Sequence, residues 1–381
     1  MKFKIDRRVS KGIGNFFFKS KNYRYKVALF FCLICFFTMI LSRGILSIQL
    51  PSFQQLSLIL YLPESNISDF IKNKGKRVLV SSIGGIGERQ AQRYMCSVLK
   101  NLGYTPICVY SDKLIKMLSV FTDVFICSDQ NIFCPKNSYN YLIVHKDIPQ
   151  IKKKYDAILS VVPEEKVKKL YPNGPIVPFF FSVHSTKFCD SPKTRLFFGG
   201  DSWDRYRSRD VAKLYKLLDN TGYFDLYGTK SFGLNSYKGF IPYGENTILD
   251  AMRKSGVALV LHSVGHFKDD IPTARIFEAI AASTVVITDR LPFIVKNFGD
   301  SVLYIDRDKS SEEMFKQIDA HMKWILSHPQ KAIELARQSH EIFLKNFTLE
   351  RIMKNVMERY ENSKKQQPIN EIFRKTSRAS V

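Results

Sequence analysis

The seven cysteines, Cys32, Cys35, Cys96, Cys108, Cys127, Cys134 and Cys189, show no zinc-ligand spacing, which excludes a cysteine-built metal module. Cys32 and Cys35 form a CxxC, but it sits inside an apolar run, where metal or redox chemistry is not expected. Cys127 and Cys134 could pair in an oxidising compartment, with two buried thiols as the alternative. No finger, RRM or homeodomain signature occurs, so the formal net charge of +23 does not by itself indicate a nucleic-acid partner. A dinucleotide fingerprint is also missing. Gly85-x-Gly87 is present, yet the third glycine position holds Gln90, and Asp112 is the only acid that could follow the second strand. Those glycines read instead as a turn that lets strand and helix pack, or lets a ligand approach the backbone.

What is present is a chain of 381 residues, 45% hydrophobic, enough to bury two ordinary cores. Its charge is concentrated at the ends: residues 1–26 carry nine Lys or Arg against one Asp, and the last twenty residues are again basic. From Val27 to Leu41 the sequence is apolar apart from Thr38. Counting on through Leu46, with Arg43 snorkelling, gives a usable membrane span. The basic arm before it places the N-terminus in the cytoplasm and the body on the other side, a type II anchor. The compartment would be the Golgi or ER lumen in a eukaryote and the cytoplasmic membrane in a bacterium. Asn66-Ile67-Ser68 and Asn346-Phe347-Thr348 are sequons usable only in a secretory lumen.

The segmentation that follows is a basic arm over 1–26, an anchor over 27–48, a stem over 49–75, an α/β domain over 76–185 and a second over 190–345. A helix and basic disordered tail close the chain over 346–381. In the first domain, apolar runs at 77–82, 105–110, 123–127, 141–144 and 156–161 alternate with helical stretches, which predicts a parallel sheet covered on both faces. Prolines and glycines around 172–192 read as the linker. In the second domain strands are expected at 195–198, 223–227, 257–262, 285–288 and 301–305, and helical pattern from Ser311 to Glu361.

The most informative stretch is Asp269–Pro292, DDIPTARIFEAIAASTVVITDRLP. Thr273 can cap a helix starting at Ala274, with Arg275 in its first turn and a buried strand at 285–288 after it. Two successive α/β units predict a cleft with ligand at the carboxyl ends of the strands. Those ends carry Gly199-Gly200, Tyr227-Gly228, His262-Ser263 and Asp289, with Arg205, Arg207 and Arg209 nearby. Glycines let a backbone approach phosphate, arginine binds diphosphate through two nitrogens, and helix N-termini at Asp210 and Ala274 add positive dipole ends. A nucleotide-diphosphate sugar uses all these groups, with Glu278 suited to a ribose and Asp270 to the sugar.

The series FFGG, DLYG, KGFIPYG, ALVLHS and IPTARIFEAIAASTVVITDRLP resembles the donor half of GT-B glycosyltransferases, nearest to group 1 and its spore-maturation-protein-like branch, over Thr194–Asp306. The resemblance implies a GT-B fold, two Rossmann-like α/β domains facing a cleft, here preceded by a transmembrane helix. It implies sugar transfer from a nucleotide-diphosphate sugar to a glycan, lipid or protein acceptor, with retention and without metal or other cofactor. Asp270 and Glu278 match the spacing of the family's acidic-x7-Glu motif, with Asp for the usual first Glu; Ser283 stands where the family has glycine. The diphosphate partners would be Arg275 and one of Arg205, Arg207 or Arg209, with Gly199, Gly200, Gly228, His262, Ser263 and Thr273 completing the donor site. Without a DxD motif the leaving diphosphate would be neutralised by cations and helix dipoles.

Blander roles stay open for each: Glu278 in a surface ion pair, Arg275 as a solvated helix residue, Asp270 as a loop residue, His145 as a structural histidine and not an acceptor-side catalyst. Phe179, Phe180, Phe181 and Trp203 read as packing residues. Competing functions are a catalytically inactive nucleotide-sugar or glycan-binding protein of the same fold, and a dinucleotide-dependent oxidoreductase.

Overall fold

The computed structural model describes residues 67–81, 86–109, 112–145, 155–172, 174–200, 211–229, 231–242 and 247–378, all within one compact unit. The expected anchor over 27–48, the stem before residue 67, and Trp203, Arg205, Arg207, Arg209 and Asp210 lie outside them. Among the described residues no helix is long and apolar enough to cross a membrane.

The first lobe is built from α1 (Ile67–Lys72), β1 (Arg77–Ser81), α2 (Ile86–Asn101), β2 (Thr105–Val109), α3 (Asp112–Leu118), β3 (Val124–Cys127), β4 (Tyr139–Val144), β5 (Ala157–Ser160), α4 (Glu164–Lys168) and β6 (Ile176–Pro178). Its strands form one parallel sheet in the order β2-β1-β3-β4-β5-β6. Every residue of β2, β3 and β5 is buried, which is why these strands read as continuous apolar runs and not as alternations. The prolines of the expected linker conceal β6, a sheet-edge strand where Pro178 costs no central ladder bond. The connection between the lobes begins only at Phe179.

The second lobe comprises β7 (Arg195–Gly199), α5 (Val211–Asp219), β8 (Phe224–Tyr227), β9 (Tyr237–Gly239), α6 (Thr247–Ser255), β10 (Gly256–Val260), α7 (Val264–Asp269), α8 (Ala274–Ala281), β11 (Val285–Asp289), α9 (Pro292–Phe298) and β12 (Leu303–Ile305). The parallel order is β12-β11-β10-β7-β8-β9. In chain order within the lobe that is 3-2-1-4-5-6 read from the other edge, the doubly wound arrangement whose direction reverses between β7 and β10. The two lobes share a device at the amino ends of their sheets: Arg77 grips Asp123 through two nitrogens at 2.7 Å each, and Arg195 grips Asp225 at 2.7 and 2.5 Å.

Three helices close the chain: α10 (Ser311–Ser327), α11 (Pro329–Asn346) and α12 (Leu349–Arg378). α10 opens on a capping box between Ser310 and Glu313. The helical pattern expected from Ser311 to Glu361 holds as three helices, divided at Pro329, whose ring cannot continue a helix, and at Phe347-Thr348. The disordered tail expected at the end is corrected, since α12 runs to Arg378. Its first half crosses back to the first lobe. The Tyr141 hydroxyl donates to the carbonyl of Val356 at 2.6 Å, that of Tyr360 to Gly75 at 3.2 Å, and Tyr104 to the Glu361 carboxylate at 3.2 Å.

One hydrophobic cluster spans both lobes. It runs from Val78–Val80 through Phe179 and Val183 to Phe277, Ile280, Phe347 and Val356. Phe180 packs against it half-buried, with the rings of Phe277, Phe293 and Phe347 at centroid distances of 5.0–5.8 Å. The packing role read for Phe179–Phe181 holds. A second cluster lies on the other face of the second sheet, under α5 and α10. Of the two alternatives for Cys127 and Cys134 the thiols hold, Cys127 buried and Cys134 half-buried, and a disulfide joins Cys96 on α2 to Cys108 on β2, tying helix to strand inside the first lobe.

Candidate donor site

The carboxyl ends of both sheets face one another. α4 follows β5 and α7 follows β10, and the Lys166 ammonium on α4 reaches across to the Asp269 carboxylate at 3.1 Å and the Lys268 carbonyl at 2.9 Å. The reversal point of the second sheet therefore opens toward the first lobe, where a ligand is expected in a doubly wound fold.

At that point β7 ends in Gly199. A Cβ there would stand 3.1 Å from the Phe197 ring and 3.5 Å from Nε of Arg275. The Arg275 guanidinium thus lies over the strand end, from the first turn of α8. One turn on, Glu278 is 5% exposed and its Oε2 is hydrogen bonded by Nη1 of Arg275. α8 is buried on nearly every side, from Ile276 to Ala281, so Glu278 is a carboxylate embedded in an apolar helix and not the surface partner of the bland reading. A buried carboxylate is retained only where a cation or donor compensates its desolvation, and Arg275 supplies that here.

Thr273 occupies the position before the helix with extended backbone, but its side chain makes no capping bond. The expected cap is corrected: the Thr273 side chain leaves the start of α8 uncapped, and the positive end of the helix dipole lies beside Arg275.

Gly200 and Gly228 serve the framework. A Cβ on Gly228 would fall 2.1 Å from the Gly200 carbonyl oxygen, and Gly200 N–H donates to Tyr227 at 3.0 Å, so the two glycine turns are pressed together. His262 follows β10 and is 3% exposed. Asp289, at the end of β11, accepts from its backbone N–H at 2.8 Å and from Nδ1 at 2.6 Å. That fixes the ring tautomer and leaves Nε2 buried with no partner among the described residues. Ser263 caps α7, its hydroxyl 2.6 Å from Nδ1 of His266. Arg307, which the sequence reading did not single out, donates to the His262 carbonyl at 3.3 Å and lies 4.1 Å over the Phe267 ring. Its position just past β12, at the same sheet edge, was the available signal.

Asp270 takes a left-handed backbone (φ 53°), and its Oδ1 accepts the N–H of Phe293 at 2.8 Å. Pro292 opens α9 without an N–H, so Asp270 satisfies that helix's first orphan donor. Its carboxylate is spent at least partly on the fold. Ser283 is left-handed too (φ 62°) and fully buried. It closes α8 with Ser283 N–H to Ile280 and Thr284 N–H to Ala279, the helix end that ordinarily calls for glycine. In exchange its hydroxyl accepts from Cys189 N–H at 3.0 Å, and its carbonyl receives the buried Lys193 ammonium at 2.6 Å. His145 stands at the end of β4 with its ring 5.9 Å from Phe181. The structure thus gathers Gly199, Arg275, Glu278 and Thr273 at one point, with His262 and Ser263 on the adjoining strand end. No group of three or more metal-ligating side chains occurs among the described residues.

Fold and site together define a two-lobed α/β protein whose second sheet reverses direction opposite the first lobe. Residues 190–358 match the model of the family described as glycosyl transferase-like. Of solved structures, an alpha-glucosyltransferase in complex with UDP and a 13-mer DNA containing an HMU base aligns at TM-score 0.55, 11% identity, over 74% of this chain and 98% of its own. BGT of T4 phage, in complex with its UDP-glucose substrate, aligns at TM-score 0.50 and 13% identity, over 74% and 98%. The chain spans 57% of the length of TarM, with 65% of itself, 12% identity and TM-score 0.46. No curated protein matches the chain. The likeness to group-1 GT-B glycosyltransferases read from the sequence holds, and the fold is GT-B.

Proposed function

We propose that this chain is a glycosyltransferase that takes a sugar from a nucleotide-diphosphate sugar and passes it to a glycan, lipid or protein acceptor close to a membrane. The observation that carries this reading is the Glu278 carboxylate, buried at the reversal point of the second sheet and bonded to Arg275, whose Nε lies 3.5 Å from where a Gly199 side chain would begin. A carboxylate so placed suits the two hydroxyls of a nucleotide ribose. Arg275 and the uncapped start of α8 suit the diphosphate.

In the reaction, the acceptor hydroxyl oxygen bonds to the anomeric carbon as the bond from that carbon to the β-phosphate oxygen breaks. The hydroxyl proton passes to the departing nucleoside diphosphate. Arg275 and the α8 dipole stabilise the charge that grows on the leaving oxygens, in place of a divalent ion. A transfer in which the leaving group itself takes that proton, on the face it departs from, yields retention. The segment over 27–48 serves as the anchor.

A second reading, a nucleotide-sugar-binding protein without turnover, is favoured by one contact: Asp270, the acid meant for the sugar, is bonded to Phe293 N–H. A screen of nucleotide sugars, scored by nucleoside diphosphate release with and without acceptor extracts, separates the two. Release identifies the transferase, and tight binding without release identifies the binder. With a donor in hand, Glu278→Gln is expected to raise its KM roughly 10- to 150-fold, the equivalent of about 1.5–3 kcal/mol for hydrogen bonds to a charged group. An unchanged KM removes Glu278 from the site.

A further inference from the structure

The net charge of +23 is not spent at the site, where Arg275 is paired with Glu278 and Lys166 with Asp269. Apart from the basic chain ends, a further group of lysines collects on the opposite side of the first lobe, at the amino ends of the strands. The turn between α1 and β1 carries Lys72, Lys74 and Lys76, all exposed. α12 comes back to this turn: Nζ of Lys364 donates to the Gly75 carbonyl at 2.9 Å and stands 3.7 Å from where a Gly75 side chain would begin. Lys365 follows, exposed, and Lys100 ends the adjoining helix α2, also exposed. Among the described residues, Glu361 and Asp69 are the acids that face this group. Glu361 is engaged by Lys364 and by Tyr104, and Asp69 is exposed on α1. Asp123 beneath the turn is taken up by Arg77 and by the N–H groups of Gly75 and Arg77. The result is a cluster of exposed lysines whose fold-internal bonds leave their charge turned outward.

We infer that this face is a docking surface for the anionic headgroups of a lipid bilayer. Three observations select that partner. The exposed side chains of the patch are lysines, point charges suited to a diffuse field, and the Arg77 fork beside them is closed on Asp123 and not open to a phosphate. The aromatic rings among these lysines are engaged in the fold and not open for the base stacking that a single-stranded nucleic acid would require: Tyr360 is buried under Lys364 and bonded to Gly75, and half-buried Tyr104 is bonded to Glu361. It lies beside α1, the first described helix after the apolar run at 27–41. Each lysine near an acidic bilayer adds about 1 kcal/mol of attraction, lost within a Debye length of roughly 8 Å at physiological salt. Docked there, the lobe would turn its amino strand ends to the membrane and hold the cleft at the far end of the sheet.

The inference does not depend on the enzymatic reading, and its test needs no substrate. Full-length protein is bound to vesicles of phosphatidylcholine alone, or of phosphatidylcholine mixed with phosphatidylglycerol, and pulsed with an amine-acetylating reagent. Mass spectrometry then gives the labelling rate at each lysine. On the acidic vesicles Lys72, Lys74, Lys76, Lys100 and Lys365 are expected to label at least threefold more slowly than on the neutral ones, and 0.5 M salt (about the range where screening shrinks to a few ångströms) should restore them. Lys309, Lys331 and Lys345, exposed on the second lobe, should not change. Equal labelling on both vesicles overturns the inference, as does protection by a soluble polyanion such as heparin with none on the acidic vesicles. Protection of the second-lobe lysines to the same extent overturns it too, because adsorption is then without a preferred face.

Discussion

Ser283 shows how one side chain can stand in for another at the level of a single residue. A left-handed, fully buried position after α8 costs a non-glycine residue about 1–2 kcal/mol, and the bond from Cys189 N–H returns about 0.5–1.5 kcal/mol. Ser283→Gly relieves the first term and loses the second, so its stability should lie within about 1 kcal/mol of the parent by urea unfolding. Ser283→Val keeps the strain, loses the bond and adds a branch, and is expected to cost about 3 kcal/mol or more. A Val variant as stable as the parent would show that the backbone is not held left-handed there. This is also where the sequence was only half legible. The missing glycine is visible in the text of the chain, but the backbone amide that compensates for it comes from Cys189, brought near only by the fold. Likewise the Asp270-to-Glu278 spacing was readable, whereas the engagement of Asp270 with Phe293 is a tertiary contact that no spacing reveals.

At the level of elements, the joint between α11 and α12 carries more than its length suggests. Phe347 is buried there, within 5.4–5.8 Å of the rings of Phe180, Phe277, Phe293 and Phe298. Just beside it, Leu349 N–H donates to the Val183 carbonyl at 2.9 Å and the Glu350 carboxylate receives Ser185 N–H at 3.0 Å. Phe347→Ala should cost about 3–5 kcal/mol, the range for an aromatic removed from a core, measured as a lower urea midpoint. A loss under 1 kcal/mol would mean the five rings repack freely. The strands of both sheets were legible because buried parallel strands are bare apolar runs. The edge strand β6 was not, since its prolines mimic a linker, and neither was α7, six residues long and capped by Ser263. The end of α12 was misread for a different reason. A polar, basic stretch carries no periodic signal, and its helix is continued from a first half anchored by Tyr141 and Tyr360.

For the molecule as a whole, pH acts through a buried base. His340 on α11 is 1% exposed, and burial, then Arg253 and Arg337, push its pKa down to about 4. The hydroxyl of Thr186 donates to the Ala281 carbonyl at 2.5 Å, so the neutral ring donates to Thr186 from Nε2 at 3.1 Å. In the unfolded chain a histidine takes its proton near pH 6.5, while the folded one refuses it until about pH 4. The stability tied to the neutral ring is therefore complete above pH 6.5 and drains as pH falls toward 4, by up to about 3 kcal/mol. Urea midpoints at pH 7, 5.5 and 4.5 should decline in the parent and more shallowly in His340→Gln. Parallel declines in the two would assign the loss to the carboxylates instead.

The return of α12 to the first lobe also sets an order for biosynthesis. Tyr141 and Tyr360 are hydrogen bonded across a separation of more than two hundred residues of chain, to Val356 and to Gly75. A ribosome that has released the whole first lobe has not yet made the helix that covers it. Until the last thirty residues emerge, the faces of β4 and α2 that α12 will bury wait open, in a chain that also carries a strongly apolar N-terminal run. The lobe that comes out first is thus completed last, and a product cut short near Thr348 would lose the fold of its beginning and not merely its end.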